Sequence, residues 1–137
     1  MGLLYNIISD HKKIRKMLIE LENWADGKSN LSIEEISAKI KEIGKFWNEH
    51  EKREEQLFEE LTKKNMSIPF EKLDTAHKDI KKYWNSITAA LISKNNIRIK
   101  KVLEDDGRML VKKIKKHMED EEPIFENLNF NFPFSRD

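Results

Sequence analysis

The sequence predicts an all-α protein, an antiparallel up-down-up-down four-helix bundle built from two related helical hairpins. Three observations lead there. Glycine and proline, at four and three residues of 137, are too sparse for a fold rich in tight turns, while the helix-compatible Lys, Glu, Leu and Ile dominate. Apolar residues recur at alternating spacings of three and four along four stretches, the period of an amphipathic helix packed in a bundle. The breaks between them span roughly four to eight residues, and long helices joined by short links lie antiparallel to their neighbours.

The first stretch carries Leu4, Ile7, Ile14, Leu18 and Leu21 and stops near Ala25-Asp26-Gly27, because glycine is a usual helix terminator. The second begins at Ser32. Glu35, three residues on, completes a capping box, and Leu31 and Ile36 are placed for a hydrophobic staple. This helix runs through Ile36, Ile40, Ile43, Trp47, Leu57 and Leu61. The third opens around Ser67-Ile68-Pro69, since proline is tolerated in a first turn, and carries Phe70, Leu73, Ile80, Trp84, Ile87 and Leu91 before Lys94-Asn95-Asn96 breaks it. The fourth carries Leu103, Leu110, Ile114, Ile124 and Leu128, with Gly107 on the same stripe as a point of close helix approach. Pro123 removes a helical hydrogen bond, so a kink or break is expected there.

Length and charge narrow the function. A chain of 137 residues makes a single domain, 1–137. Twenty-six basic against 25 acidic residues leave no net field for nucleic acid or an anionic membrane, so neither is an expected partner. The start MGLLYNIISDHKK lacks the basic opening, long apolar stretch and cleavage site of a signal peptide, which predicts a cytoplasmic location. With no cysteine, any metal must be held by nitrogen and oxygen.

The four histidines then stand out. Filling the gaps in the core stripes puts His11 on the first helix, His50 and Glu54 on the second, His77 on the third, and His117 and Glu121 on the fourth. If about two in seven helical positions face a bundle core, all four histidines fall there by chance roughly once in a hundred times or less. Each glutamate follows a core histidine by four residues and shares its face. The chain also repeats. His50 to Leu61 aligns with His117 to Leu128 as H-x-x-x-E-E-x-[LI]-F-E-x-L at an offset of 67, and His11 to Lys16 aligns with His77 to Lys82 at an offset of 66. Each hairpin supplies one lone histidine and one His-x-x-x-Glu pair. His11 lies about 21 Å below its loop and His50 about 27 Å below the same loop at 1.5 Å per residue, so the six groups can occupy neighbouring layers.

Four imidazoles and two carboxylates in an apolar interior conflict as free groups, because burial opposes charge and the carboxylates repel. A bound metal removes that conflict. Six ligands are too many for one tetrahedral zinc but suit two iron or manganese ions. Each ion is expected to take two histidines, with Glu54 and Glu121 spanning both, a water-derived oxo or hydroxo group as a further bridge, and an open coordination position for a small molecule. Which histidines share an ion is left open. The ferritin-like Glu-x-x-His arrangement is absent before His50 and His117, and the metalloprotease motif fails because His50 is followed four residues later by Glu54 instead of histidine.

These residues, in this order on four helices, resemble the hemerythrin-like (HHE cation-binding) domain across nearly the whole chain. The resemblance implies a non-haem di-iron centre that binds dioxygen, nitric oxide or peroxide, with manganese or zinc as possible replacements. On that likeness His11, His50, His77 and His117 are terminal ligands and Glu54 and Glu121 are bridges. The departures argue against simple oxygen transport. Oxygen-carrying hemerythrins have a His-x-x-x-His pair on the third helix and end with His-x-x-x-x-Asp, whereas Leu73 and Lys81 flank His77 here and the last pair is His117-x-x-x-Glu121. The ligand set is closer to the hemerythrin-like domain of bacterial iron–sulfur-cluster repair proteins, whose small cysteine-bearing amino-terminal domain is not present in this sequence. An oxidase, peroxidase or cluster-repair role, and a purely structural bundle, are the alternatives to small-molecule binding in sensing, storage or stress protection.

The blander expectations are these. Trp47, Trp84, Phe58 and Phe125 are core residues, or walls of a small-ligand pocket. The basic runs Lys12-Lys13-Ile14-Arg15-Lys16 and Lys112-Lys113-Ile114-Lys115-Lys116 are solvated faces. Glu55 and Glu122 point away from the core, with Glu122 a reserve ligand if Pro123 shifts the register. The tail Phe130-Asn131-Phe132-Pro133-Phe134 packs across the bundle end of a monomer, or buries a contact in a weak homodimer.

Overall fold

The computed structural model describes residues 2–64 and 68–131, with side chains as far as Leu128. Four helices follow one another: α1 (Leu3–Ala25), α2 (Ile33–Lys63), α3 (Phe70–Ser93) and α4 (Asn96–Asn131). No strand occurs among the described residues. The helices form the expected antiparallel bundle. Packing runs α2 on α1, α1 on α4 and α4 on α3, whereas α2 meets α3 only sparsely.

The predicted ends are satisfied by identifiable bonds. Gly27 follows α1 with φ +74°, a left-handed conformation that glycine adopts without steric cost. Arg108 on α4 donates to the Ala25 carbonyl at 2.6 Å and pairs with Asp26, satisfying the end of α1 from a neighbouring helix. At α2 the capping box is complete: the Glu35 amide donates to the Ser32 hydroxyl and the Ser32 amide to the Glu35 carboxylate, both at 3.1 Å.

Three expectations change. The link between α3 and α4 is only Lys94 and Asn95, shorter than the four to eight residues predicted. Lys94 adopts a left-handed φ of +55° and reverses the chain at once, and the Asn95 side chain accepts from the Arg98 amide at 3.1 Å to start α4 immediately. Secondly, α4 is not broken at Pro123. Pro123 and Glu119, whose carbonyl loses its helical partner, are both exposed residues, and a missing helical bond costs least on a solvent-facing side. Thirdly, Gly107 is buried, but a Cβ there would meet Leu21 and Leu103 at 3.9 Å, ordinary contact, so the approach does not require glycine. Ser67 and the phenylalanine-rich end from Phe132 on, together with the Phe130 side chain, lie outside the described residues.

The interior is divided. A large apolar core contains Ile14, Leu18, Trp47, Ile80, Leu110, Ile114 and Met118 among others. A smaller one at the opposite end contains Leu4, Ile7, Leu57, Leu61, Phe125 and Leu128. Between them sit the histidines and glutamates, about one turn from each core on α1, α2 and α4, while on α3 His77 lies one turn from Ile80 of the larger core. No helix among the described residues is long and apolar enough to cross a membrane.

Candidate metal centre

Each helix delivers its ligand-type residues to this layer because they occupy core positions of the same period that sets the apolar stripes. His11 falls between Ile7 and Ile14, and His50 and Glu54 between Trp47 and Leu57. On α4, His117 and Glu121 fall between Ile114 and Phe125. Five of the six side chains are at most 1% exposed, and His77 is 13% exposed beside the sparse α2–α3 seam.

The six groups face one another in two overlapping sets. Glu54, His77, His117 and Glu121 offer ligand atoms within 4.8 Å of each other, and so do His11, His50 and Glu121. The sequence left the pairing of histidines open, and here the rings pair within each helical hairpin: His11 with His50 at 5.1 Å between centroids, His77 with His117 at 4.5 Å. Both carboxylates reach across the pairs. Glu54 Oε1 lies 2.8 Å from His50 Nε2 and 3.5 Å from His77 Nε2, and its Oε2 lies 3.6 Å from His117 Nε2. Glu121 Oε1 lies 3.4 Å from His11 Nε2 and 3.2 Å from His117 Nε2.

Close as they are, these atoms are misaligned for hydrogen bonding. The Nε2 atoms of all four histidines and all four oxygens of Glu54 and Glu121 are buried without a hydrogen-bond partner. Eight orphaned polar atoms converging on one layer are costly in a native interior. Nitrogen lone pairs and carboxylate oxygens directed at a common space are the donor set of a divalent or trivalent cation, so these residues fit a metal.

The electrostatics express the same frustration. Burial opposes charge on Glu54, but Glu121 and the imidazoles of His117, His50 and His77 around it hold its carboxyl well below the usual range. Burial and the neighbouring Glu54 push Glu121 well above it. The two carboxyls therefore shift in opposite directions, as like charges sharing one site do. Burial drives His11 down to about 4, reinforced by the charge of His50. His50 is also buried, yet Asp10 and Glu54 outweigh that penalty and raise it to about 9.

Sequence reasoning missed the residues behind the imidazoles. Asp10 Oδ2 lies 3.0 Å from Nδ1 of His50 and accepts from Arg53 Nε at 2.7 Å. Glu122 Oε2 lies 3.2 Å from Nδ1 of His11, and Arg15 grips the same carboxylate with two nitrogens at 2.7 Å each. Glu122 thus stands behind His11 and does not simply point away from the core, and Arg15 does more than solvate a face. Glu55 is exposed as expected. An apolar lid completes the layer: Trp47 lies 5.4 Å from His50 and 6.3 Å from both His77 and His117, and Phe125 lies 6.0 Å from His11. Trp84 is half-buried and, with Gly44, Asn48 and Glu51, lines a cleft of about 900 Å³ between α2 and α3.

Comparison with known proteins agrees with the geometry. The hemerythrin HHE cation-binding domain matches residues 3–128, from the first residue of α1 to the last turns of α4. Neither the curated proteins nor the solved structures yield a significant match. The match includes all four helices and every histidine and glutamate of the buried layer, and the chain belongs to the hemerythrin HHE cation-binding domain family.

Proposed function

We propose that the chain is a non-haem di-iron protein whose centre binds a small molecule, dioxygen, nitric oxide or peroxide, in sensing, storage or stress protection. One observation carries this reading: the convergence of four Nε2 atoms and four carboxylate oxygens, all buried and none hydrogen-bonded, in a single layer. His11 and His50 would hold one ion and His77 and His117 the other, with the Glu54 and Glu121 carboxylates, each within 3.6 Å of a histidine from either pair, available to both. Four imidazoles and two carboxylates leave six-coordinate iron short of a full sphere, and imidazole–carboxylate sets of this kind suit iron or manganese better than tetrahedral zinc. The bound irons would supply an open coordination position and electrons for a small oxidant or diatomic.

This chain's own residues set the conditions. Trp47 and Phe125 keep bulk water from the layer, which strengthens each charge inside it. His77, the one group with an exposed edge, marks the side on which a diatomic reaches the centre. The test is anaerobic reconstitution with ferrous iron. About two irons per chain are expected, with the charge-transfer absorption of a coupled di-iron centre on exposure to air and a distinct spectrum with nitric oxide. A chain that retains fewer than two irons, or whose spectrum ignores both gases, overturns the reading.

A further inference from the structure

The two hairpins repeat, but the groups behind their histidines do not. At the offsets of 66 and 67 that relate the halves, Asp10 corresponds to Ala76, Arg53 to Asp120, Arg15 to Lys81, and Glu122 to Glu55. The carboxylate that holds His50 Nδ1 at 3.0 Å is therefore a methyl group in the other half. Nδ1 of the corresponding histidine, His117, is buried with no hydrogen-bond partner. Glu122 stands 3.2 Å from His11 Nδ1, whereas its counterpart Glu55 is exposed and makes no bond to His77 among the described residues. The seam that would bring Glu55 to His77 is the sparse α2–α3 contact.

A carboxylate on Nδ1 fixes the tautomer that aims the Nε2 lone pair at a metal, stops the ring from turning and raises its basicity. Arg53 and Arg15 fix the carboxylates in turn, Arg15 by a two-pronged grip. Among the described residues no carboxylate hydrogen-bonds Nδ1 of His77 or His117: Glu51 acts on His77 through its charge without a bond to the ring, and His77 is partly open to water.

We propose that Asp10 and Glu122 are positioning residues that make His11–His50 the tight half of the centre, leaving His77–His117 as the loose half, which fills last and loses its ion first. The proposal rests on the two-ion reading above. It requires the two ions to be held unequally although the six ligands are arranged as a near-symmetric repeat.

The experiment is an anaerobic titration of metal-free protein with Co²⁺, followed by calorimetry and by the visible d–d bands. Wild-type protein is expected to take two equivalents of clearly different affinity. Asp10→Asn and Glu122→Gln, which keep side-chain size, each weaken the first equivalent about 10- to 100-fold and leave the second within about threefold. His77→Ala removes the second equivalent and spares the first. Asp106→Asn, which alters a hydrogen bond to Ser86 away from the layer, changes neither and controls for general loosening. Helical circular dichroism confirms that each variant is folded. Two equal equivalents in wild type overturn the proposal while leaving the two-ion reading intact. So does an Asp10→Asn or Glu122→Gln chain that weakens both equivalents alike, or neither. Fewer than two equivalents in wild type overturn the two-ion reading and the proposal with it.

Discussion

Asp10 immediately precedes His11 in α1, yet its carboxylate serves His50, 3.0 Å away on α2, while His11 is held by Glu122 from α4. Consecutive residues on one helix thus tie two other helices to the same layer, and the charge state of this layer governs how the metal-free fold responds to pH.

His50 is raised from 6.5 to about 9, so the folded state holds this proton more tightly than the unfolded chain. Its contribution is fully present below pH 6.5 and is lost as pH rises through 9. At about 1.4 kcal/mol per pH unit, the metal-free protein loses about 3 kcal/mol across that interval. His11, lowered to about 4, acts on the other side: the unfolded chain takes up its proton first, and stability falls as pH drops from 6.5 toward 4. Urea unfolding with chelator across pH 4 to 9.5 should trace a maximum near neutrality, with the alkaline limb flattened in Asp10→Asn. A flat wild-type profile contradicts this.

Burial and Glu54 raise the Glu121 carboxyl well above its usual range in the metal-free layer, which disfavours its charged form. Glu121→Gln therefore puts an uncharged group of similar size where charge is already disfavoured, and should change metal-free stability by less than about 1 kcal/mol. Metal binding is a different matter, because an amide cannot offer a cation the anionic oxygens of a carboxylate. Unfolding midpoints with and without Co²⁺ separate the two effects: the variant should match wild type without metal and lose most of the metal-induced gain.

That gain follows from mass action. At a free ion concentration 100 times the dissociation constant, a site present only in the folded state adds about 2.7 kcal/mol. Thermal scans of wild-type protein should show the midpoint rising with metal and falling back with chelator, and Glu54→Ala, which removes a carboxylate near both histidine pairs, should abolish the rise. An equal rise in Glu54→Ala would remove Glu54 from the ligand set.

Gly107→Ala tests packing away from the layer. A Cβ there meets only Leu21 and Leu103 at 3.9 Å, so the helix-propensity gain of about 1 kcal/mol should appear undiminished. The melting temperature is expected to rise by about 4 °C. A fall would mean that α1 and α4 pack more tightly than these contacts indicate.

The bundle was legible because its period is carried by nearly every buried residue, and the six central residues because they occupy the same stripes with the wrong chemistry for a core. The family model matches residues 3–128, the stretch that contains all six. Asp10, Arg53 and Arg15 were not legible. They flank the stripe instead of lying on it, and Asp10 meets its partner His50 forty positions away only once α1 and α2 are docked. One signal was available in the aligned halves: Asp10 facing Ala76 is a charged-for-methyl difference beside a repeated histidine. Continuity at Pro123 was hidden for a related reason, since the cost of a proline depends on whether the orphaned carbonyl faces water, which sequence period alone does not reveal.

The polar layer has a consequence for the alignment of the helices themselves. Apolar side chains of similar size tolerate a helix sliding by one turn, since one leucine replaces another. Here such a slip in α3 would carry His77 to the level of Leu73 or Ile80, and in α4 it would push Glu121 against the hydrocarbon around Phe125 or leave Ile114 facing Glu54. A buried polar or charged group without its partners is far costlier than a displaced methyl. The histidines and glutamates thus act as a register lock, and of the sliding arrangements open to this bundle they leave one in which all four helices are level.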